Sequence, residues 1–174
     1  MLKIILIVIA LLIAIVLVLA ARKPDKFRVE RATRIKASPD KVFALINDFN
    51  RWGSWSPWEK MDPAMQRTFS GAASGEGSVY EWKGNKVGQG RMEILESEPS
   101  TRITIKLDFV KPFEAHNLTD FKLDPQGDET AVTWTMQGPA PFVTKIMHVF
   151  MDMDRMVGKD FAAGLENMKT IAEK

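Results

Sequence analysis

The most constraining feature of the sequence is an uncharged apolar run near its N-terminus. Residues Ile4 to Ala21 are all Ile, Leu, Val or Ala, with no charge, proline or glycine among them. As a helix rising about 1.5 Å per residue the run would cover about 27 Å, close to the hydrocarbon thickness of a bilayer. It predicts a transmembrane anchor over residues 1–23, and it leaves residues 24–174 to form one folded domain of ordinary size.

A cleaved signal peptide is the alternative interpretation of this run. Val18-Leu19-Ala20 could serve as a weak cleavage site. The apolar core of a signal peptide is usually about 7–15 residues long, however, and this run is longer. An uncleaved single-span anchor is therefore the preferred interpretation.

Positive charge is concentrated on the C-terminal side of the run. Only Lys3 and the α-amino group precede it. Eight basic residues follow it: Arg22, Lys23, Lys26, Arg28, Arg31, Arg34, Lys36 and Lys41. By the positive-inside rule this asymmetry predicts a single-pass membrane protein with its soluble domain in the cytoplasm. The same basic residues could attract anionic lipid headgroups.

Composition excludes several classes of function. The 24 Lys and Arg residues nearly balance the 22 Asp and Glu residues, so net charge does not draw the chain to nucleic acid. The absence of cysteine excludes disulfides, thiol catalysis and cysteine-ligated zinc or iron–sulfur sites. No cofactor is predicted.

Each of the two histidines has one carboxylate at a suggestive spacing. Glu114 and His116 are two apart on a predicted strand and could form an acid–base pair, or merely an exposed surface pair. His148 and Asp152 are four apart on a predicted helix and could supply two metal ligands, or one surface hydrogen bond. Each is half of a site because no third group accompanies it, so no metal site and no catalytic residue is assigned. Asp152 and Asp154 diverge on a helix and predict a solvated face.

Hydrophobic periodicity predicts an α+β domain. Alternating residues predict a first strand at Phe27–Ile35, and an apolar stripe at three- to four-residue spacing predicts one helix from Phe142 to the end. Between them, Ser38 and Pro39 mark the N-cap and first residue of a short helix, and a second helical turn covers 48–52 until Gly53 and Pro57 end it. Six further strands are predicted at 65–70, 78–82, 89–97, 102–109, 114–123 and 130–137. Their short connections favour an antiparallel meander.

Three of the five tryptophans, Trp52, Trp55 and Trp58, crowd into the polar segment NRWGSWSPWEK at residues 50–60. Rigid aromatic side chains there could plug one end of the domain. They could instead line a ligand cavity and offer indole N–H groups to the ligand. A third possibility is that the indoles rest among lipid headgroups, which the short tether permits.

Several motifs carry a resemblance to a known superfamily. They are IKASPDKVF at 35–43, NDF at 47–49, RW at 51–52, WSPW at 55–58, GEGSVYEW at 75–82 and TAVTW at 130–134. Over about residues 27–173 the sequence resembles the SRPBCC or START-like superfamily, in its bacterial polyketide cyclase/dehydrase and lipid-transport branch. The resemblance implies the Bet v 1-like helix-grip fold, a curved antiparallel sheet wrapped around a long C-terminal helix, here preceded by the transmembrane helix.

The resemblance also implies a function. A cavity between the sheet and the C-terminal helix would hold a hydrophobic small molecule, lipid-like or polyketide-like, oriented by polar groups such as Glu81, Asn117 or Gln137. The candidate ligand-binding residues are Trp55, Trp58, Tyr80, Trp82, Phe109, Phe121, Trp134, Met147 and Met151. Two alternatives stay open. One is a cyclase or dehydratase using Glu81, Glu114 or His116, and the other is an interaction module with a solidly packed core that binds no ligand.

Overall fold

A computed structural model describes the whole chain, residues 1–174. The helices are α1 (Leu2–Ala21), α2 (Pro39–Ile46), α3 (Trp52–Trp55), α4 (Pro57–Met61), α5 (Phe142–Phe150) and α6 (Met153–Ala172), and a 3-10 turn covers Phe49–Arg51. The strands are β1 (Lys26–Ile35), β2 (Gln66–Gly71), β3 (Ser78–Lys83), β4 (Gln89–Glu98), β5 (Arg102–Lys111), β6 (Ala115–Gln126) and β7 (Glu129–Pro139). The α+β organisation predicted from the sequence is confirmed.

The seven strands form one antiparallel sheet in the order β1-β7-β6-β5-β4-β3-β2. Strands β2 to β7 are sequential neighbours, as the short connections predict, and β1 joins the sheet beside β7. Residues at alternate positions face inward: Tyr80 and Trp82 on β3 are buried together, and Trp134 on β7 is buried with its neighbours Val132 and Met136. Helix α6 packs across this inner face, chiefly against β1.

The region around the tryptophans differs from the prediction. Gly53 does not end a helix, because α3 continues through it to Trp55. Pro57 does not end a helix either. It stands in the first turn of α4, where its missing N–H costs no hydrogen bond. Ser38 does occupy the N-cap position of α2, although its side chain makes no capping hydrogen bond.

The prediction of one continuous helix from Phe142 to the end is wrong. The chain is extended at Met151, and α6 starts anew after Asp152. The Asp152 carboxylate caps α6 by accepting a hydrogen bond from the backbone N–H of Arg155 at 3.0 Å. Asp152 and Asp154 are both exposed, as the sequence predicted, and Asp154 also pairs with Arg31 of β1 at 2.9 Å.

Helix α1 is long and apolar enough to cross a membrane, by length and composition. Those two properties are shared by membrane spans and by signal sequences near an N-terminus. Along α1 every residue is exposed except the half-buried Val16 and the buried Ala20. The two are four residues apart and share one side of the helix, and α1 packs against α5.

Candidate ligand-binding site

Aromatic side chains fill the space between the sheet and α6. Trp134 of β7 stacks on Phe161 of α6, with ring centroids 4.0 Å apart and planes 7° from parallel. On the same side Phe121 of β6 stacks on Trp134 at 4.7 Å, and Trp55 meets Trp134 edge-on at 5.6 Å. Trp58 closes the group from α4, edge-on to Trp134 and Phe161. These rings contact one another throughout the region where the sequence predicted a cavity.

Three indole N–H groups in this region donate hydrogen bonds within the protein. Trp52 and Trp55 donate to the backbone carbonyls of Ile46 and Leu45, each at 2.9 Å. Those carbonyls belong to the last turn of α2, whose C=O groups have no partner inside the helix. Trp134 donates to the hydroxyl of Thr119 at 3.1 Å. Two of the three clustered tryptophans therefore cap α2 and fix it to the core.

A second aromatic group lies at the β2–β3 side of the sheet. Trp82 donates its indole N–H to the carbonyl of Val87 at 3.1 Å and meets Phe109 edge-on at 5.7 Å. Tyr80 stacks on Phe69 of β2, with ring centroids 5.0 Å apart. The predicted residues Tyr80, Trp82 and Phe109 are thus brought together. Phe49 connects them to the cluster around Trp134, since its ring centroid lies 5.9 Å from that of Tyr80 and 5.4 Å from that of Trp52.

Beside Tyr80 is a partly buried polar cluster that sequence reasoning missed. The Tyr80 hydroxyl donates to Glu59 of α4 at 2.5 Å, and Arg67 of β2 donates to the other carboxylate oxygen at 2.7 Å. Burial and the adjacent Glu59 carboxylate raise the pKa of Tyr80 above its ordinary value. The phenol therefore stays protonated and joins α4 to the sheet. No sequence signal links these three residues, which come from separate elements.

Two of the three polar residues predicted to orient a ligand lie on the outer face of the sheet. Glu81 and Gln137 are exposed, on the opposite side of their strands from the buried Trp82 and Met136, so the prediction that they orient a ligand inside is wrong. Asn117 does face inward and is buried. Its Oδ1 has no hydrogen-bond partner in the protein.

The structure also shows the surroundings of the two predicted histidine pairs. His116 contacts Asp108 at 2.7 Å and Glu114 at 3.3 Å, but it is exposed on the outer face of the sheet. The hydrogen bond to Asp108 raises the pKa of His116. His148 packs edge-on against Phe27 at 6.1 Å, while Asp152 caps α6 instead of joining it. No group of three or more His, Cys, Asp or Glu side chains is placed to hold a metal.

An open cavity lies where β1, the α1–β1 linker and the α5–α6 break meet, and we call it the junction cavity. Its volume is about 510 Å³. The apolar residues that line it are Phe27, Val29, Val149, Phe150, Met151 and Met153, the basic ones are Lys23, Lys26, Arg28 and His148, and the acidic ones are Asp152 and Asp154. Of the predicted ligand-binding residues only Met151 lines it, and Met147 lies one turn earlier on α5. The cavity lies at the break in the terminal helix, and the capping residue Asp152 was the sequence signal that could have indicated this break.

Ion pairs hold the walls of the junction cavity in place. Arg31 grips both carboxylate oxygens of Asp154, at 2.9 and 3.0 Å. Gly158 makes room for this guanidinium group, since a Cβ there would lie 2.0 Å from it. On the other side, the largely buried Lys145 of α5 pairs with Asp25 of the linker at 2.6 Å. Burial and the nearby charge of Lys23 lower the pKa of His148.

Comparison with known proteins identifies the family of the chain. Residues 26–173 match the family described as polyketide cyclase / dehydrase and lipid transport. The chain belongs to this family. Membership indicates a domain of the kind that binds a hydrophobic ligand or acts as a cyclase. The comparison with curated proteins finds no match.

Solved structures show the same helix-grip architecture. A protein from Chromobacterium violaceum matches with 15% identity and a TM-score of 0.61, over 87% of this chain and 99% of its own. The Aha1 dimer from Colwellia psychrerythraea matches with 17% identity and a TM-score of 0.60, over 84% and 96%. Major latex-like protein 151 from Panax ginseng matches with 13% identity and a TM-score of 0.61, over 87% and 100%. The predicted Bet v 1-like fold is thereby confirmed.

Proposed function

We propose that the chain is a membrane-anchored domain that binds one hydrophobic small molecule, lipid-like or polyketide-like, in the junction cavity. The observation that carries the proposal is the cavity itself. Its volume of about 510 Å³ suits a small-molecule site, for which about 300–1,000 Å³ is typical. Its wall is mixed, with six apolar residues among the thirteen that line it, and its charged groups can orient a ligand.

The chemistry of the lining fits an amphiphile. Phe27, Val149 and Met153 offer an apolar surface, while Lys23 and Arg28 add positive charge. An apolar chain would bury against the former, and an anionic or strongly polar head would lie near the latter. Methionine suits such a wall because its flexible thioether chain repacks around ligands of different shape.

The space between the sheet and α6 is a less suitable ligand site than the junction cavity. Trp55, Phe121 and Trp134 are already stacked on one another and on Phe161. A ligand among them would have to separate rings whose contacts stabilise the fold. Ligand contact therefore stays a prediction for the seven aromatic candidates Trp55, Trp58, Tyr80, Trp82, Phe109, Phe121 and Trp134.

Binding is better supported than catalysis by the acids that the sequence suggested. Glu81, Glu114 and His116 are all exposed, and none lines the junction cavity. A cyclase that used them would have to act outside the fold. The interaction-module alternative gains from the packed interior, but it leaves the junction cavity without a role.

The anchoring role of α1 is part of the same proposal, with the domain on the cytoplasmic side. Eight basic residues follow α1 in the sequence, between Arg22 and Lys41. Burial of Ala20 against the domain further supports a helix that is retained. A cleaved peptide would not be expected to pack against the mature protein.

The test is native mass spectrometry of the full chain released from detergent micelles after purification from the producing cells. We expect one adduct with the mass of a lipid or comparable apolar molecule. Met153→Arg places a charge in the cavity wall and should abolish the adduct. Met156→Arg is the matched control, because Met156 is exposed outside the cavity, and it should keep the adduct. Absence of any adduct, or its retention by Met153→Arg when circular dichroism shows the variant folded, would contradict the proposal.

A further inference from the structure

Helix α5 has two chemically different sides. Thr144, Lys145 and His148, at positions i, i+1 and i+4, form its polar side. The opposite side is apolar and consists of Phe142, Val143, Ile146, Met147, Val149 and Phe150. No residue of α5 is fully buried, and Val143 and Phe150 are 71% and 72% exposed. Several large apolar side chains that are exposed together on one helix indicate an interaction surface.

The surroundings of α5 show what this surface adjoins. The polar side faces the domain, since Lys145 pairs with Asp25 of the linker and His148 packs against Phe27. The helix packs chiefly against α1. On α1 the shielded residues Val16 and Ala20 lie in its C-terminal half. The apolar side of α5 is therefore continuous with the C-terminal end of α1.

The length of α1 fixes the level of α5 relative to a bilayer. Twenty residues of helix extend about 30 Å, which matches the hydrocarbon core. The C-terminal end of α1 then lies at the boundary between acyl chains and headgroups, and α5 lies beside it. Arg22, Lys23, Lys26 and Arg28 follow at the same level, where they can meet anionic headgroups. An apolar helix side with basic residues at its edge is the pattern of a helix that lies in a membrane interface.

We propose that α5 lies in the interface of the bilayer that α1 spans, with Val143 and Phe150 among the acyl chains. This inference rests on the proposed function, in which α1 is an anchor and the junction cavity is the binding site. Because Phe150 and Met151 also line that cavity, its mouth opens onto the bilayer. The ligand is then a membrane amphiphile that enters from the anchoring bilayer itself, without crossing water.

The absence of cysteine makes this placement directly measurable. Val143→Cys and Phe150→Cys are labelled with a nitroxide in the full chain, reconstituted in nanodiscs of phosphatidylcholine and phosphatidylglycerol. Ala162→Cys on the exposed side of α6 is the water reference, and Leu12→Cys within α1 is the membrane reference. We expect the labels at 143 and 150 to relax strongly with oxygen and weakly with a water-soluble nickel chelate, as the label at 12 does. Accessibility to nickel equal to that at 162 would overturn the inference.

The outcomes separate this inference from the proposed function. If the label at 12 is in the membrane but those at 143 and 150 are in water, α5 is not interfacial, whatever the mass spectrum shows. If 143 and 150 are in the membrane and no Met153-dependent adduct exists, the interfacial helix stands and ligand binding fails. A label at 12 that is in water removes the anchor and, with it, both proposals.

Discussion

At the scale of single residues, close contacts in the sheet decide where large side chains can lie. Gly90 of β4 is opposite Trp82 of β3, and the indole ring lies over the space that a side chain at 90 would need. A Cβ there would come within 2.4 Å of the ring and 2.6 Å of the Asp108 carbonyl oxygen. The glycine is therefore required by packing, whereas Gly53 in α3 has no atom within 4 Å of an added Cβ.

These two glycines make a matched pair of predictions. Gly90→Ala should lower the free energy of unfolding by about 1–3 kcal/mol, because the ring and the strand must both shift. Gly53→Ala should leave stability unchanged or raise it by up to about 1 kcal/mol, because alanine favours helix and meets nothing. Urea titration of the full chain in one detergent, followed by tryptophan fluorescence, measures both. Equal effects of the two substitutions would contradict this account of the packing.

The pKa values of the two histidines should be shifted in opposite directions from the ordinary value of 6.5. The Asp108 carboxylate raises the pKa of His116, while burial lowers that of His148. The contribution of His116 to stability is therefore full below pH 6.5 and is lost as the pH rises through its folded-state pKa. His148 has the opposite sign, since protonation on acidification below 6.5 favours the unfolded chain.

NMR titration of the two imidazole rings checks these directions. Asp108→Asn should return the pKa of His116 toward 6.5 and leave that of His148 unchanged. If His148 titrated above His116, the placement of His148 against Phe27 would be wrong.

At the scale of elements, α2 and α3 depend on each other through two indoles. Trp55→Phe keeps most of the ring volume but removes the donor to the Leu45 carbonyl, leaving a buried acceptor unpaired. We expect a loss of about 1–3 kcal/mol in the free energy of unfolding. Trp58→Phe is the control, because Trp58 is half-buried and its indole makes no hydrogen bond in the protein. The same loss in both variants would show that ring volume, not the hydrogen bond, holds α3 in place.

The elements were predictable where local pattern determines them. Alternation along β3 predicts the strand and places Tyr80 and Trp82 on one face, because side chains two apart point the same way. That this face is the inner one follows from the fold resemblance. The break between α5 and α6 was not predicted, since the apolar stripe continues across Met151 and conceals the cap at Asp152. The partners of the indole N–H groups were equally hidden, because they depend on how α2 sits on the core.

At the scale of the whole molecule, fold and site differ in how far the sequence determines them. The motifs from Ile35 to Trp134 specify the helix-grip fold, and the family match over residues 26–173 agrees. The cavity expected between sheet and helix is occupied by the very aromatics chosen to line it, such as Trp134 stacked on Phe161. The positions of the aromatic residues in the sequence, together with the fold, indicate that their rings converge between the sheet and α6. They do not show whether the rings leave a space between them.

The central claim is that a hydrophobic ligand lies beside the anchor rather than in the aromatic interior. Photolabelling of the full chain in nanodiscs, with a phosphatidylcholine analogue that carries a diazirine in its acyl chain, tests it most directly. Adducts mapped by mass spectrometry should include Phe27, a partly exposed residue of the cavity wall. Met153→Arg should abolish these adducts and leave those on α1. Adducts confined to α1 and α5, or adducts on Trp55 and Trp134, would contradict the claim.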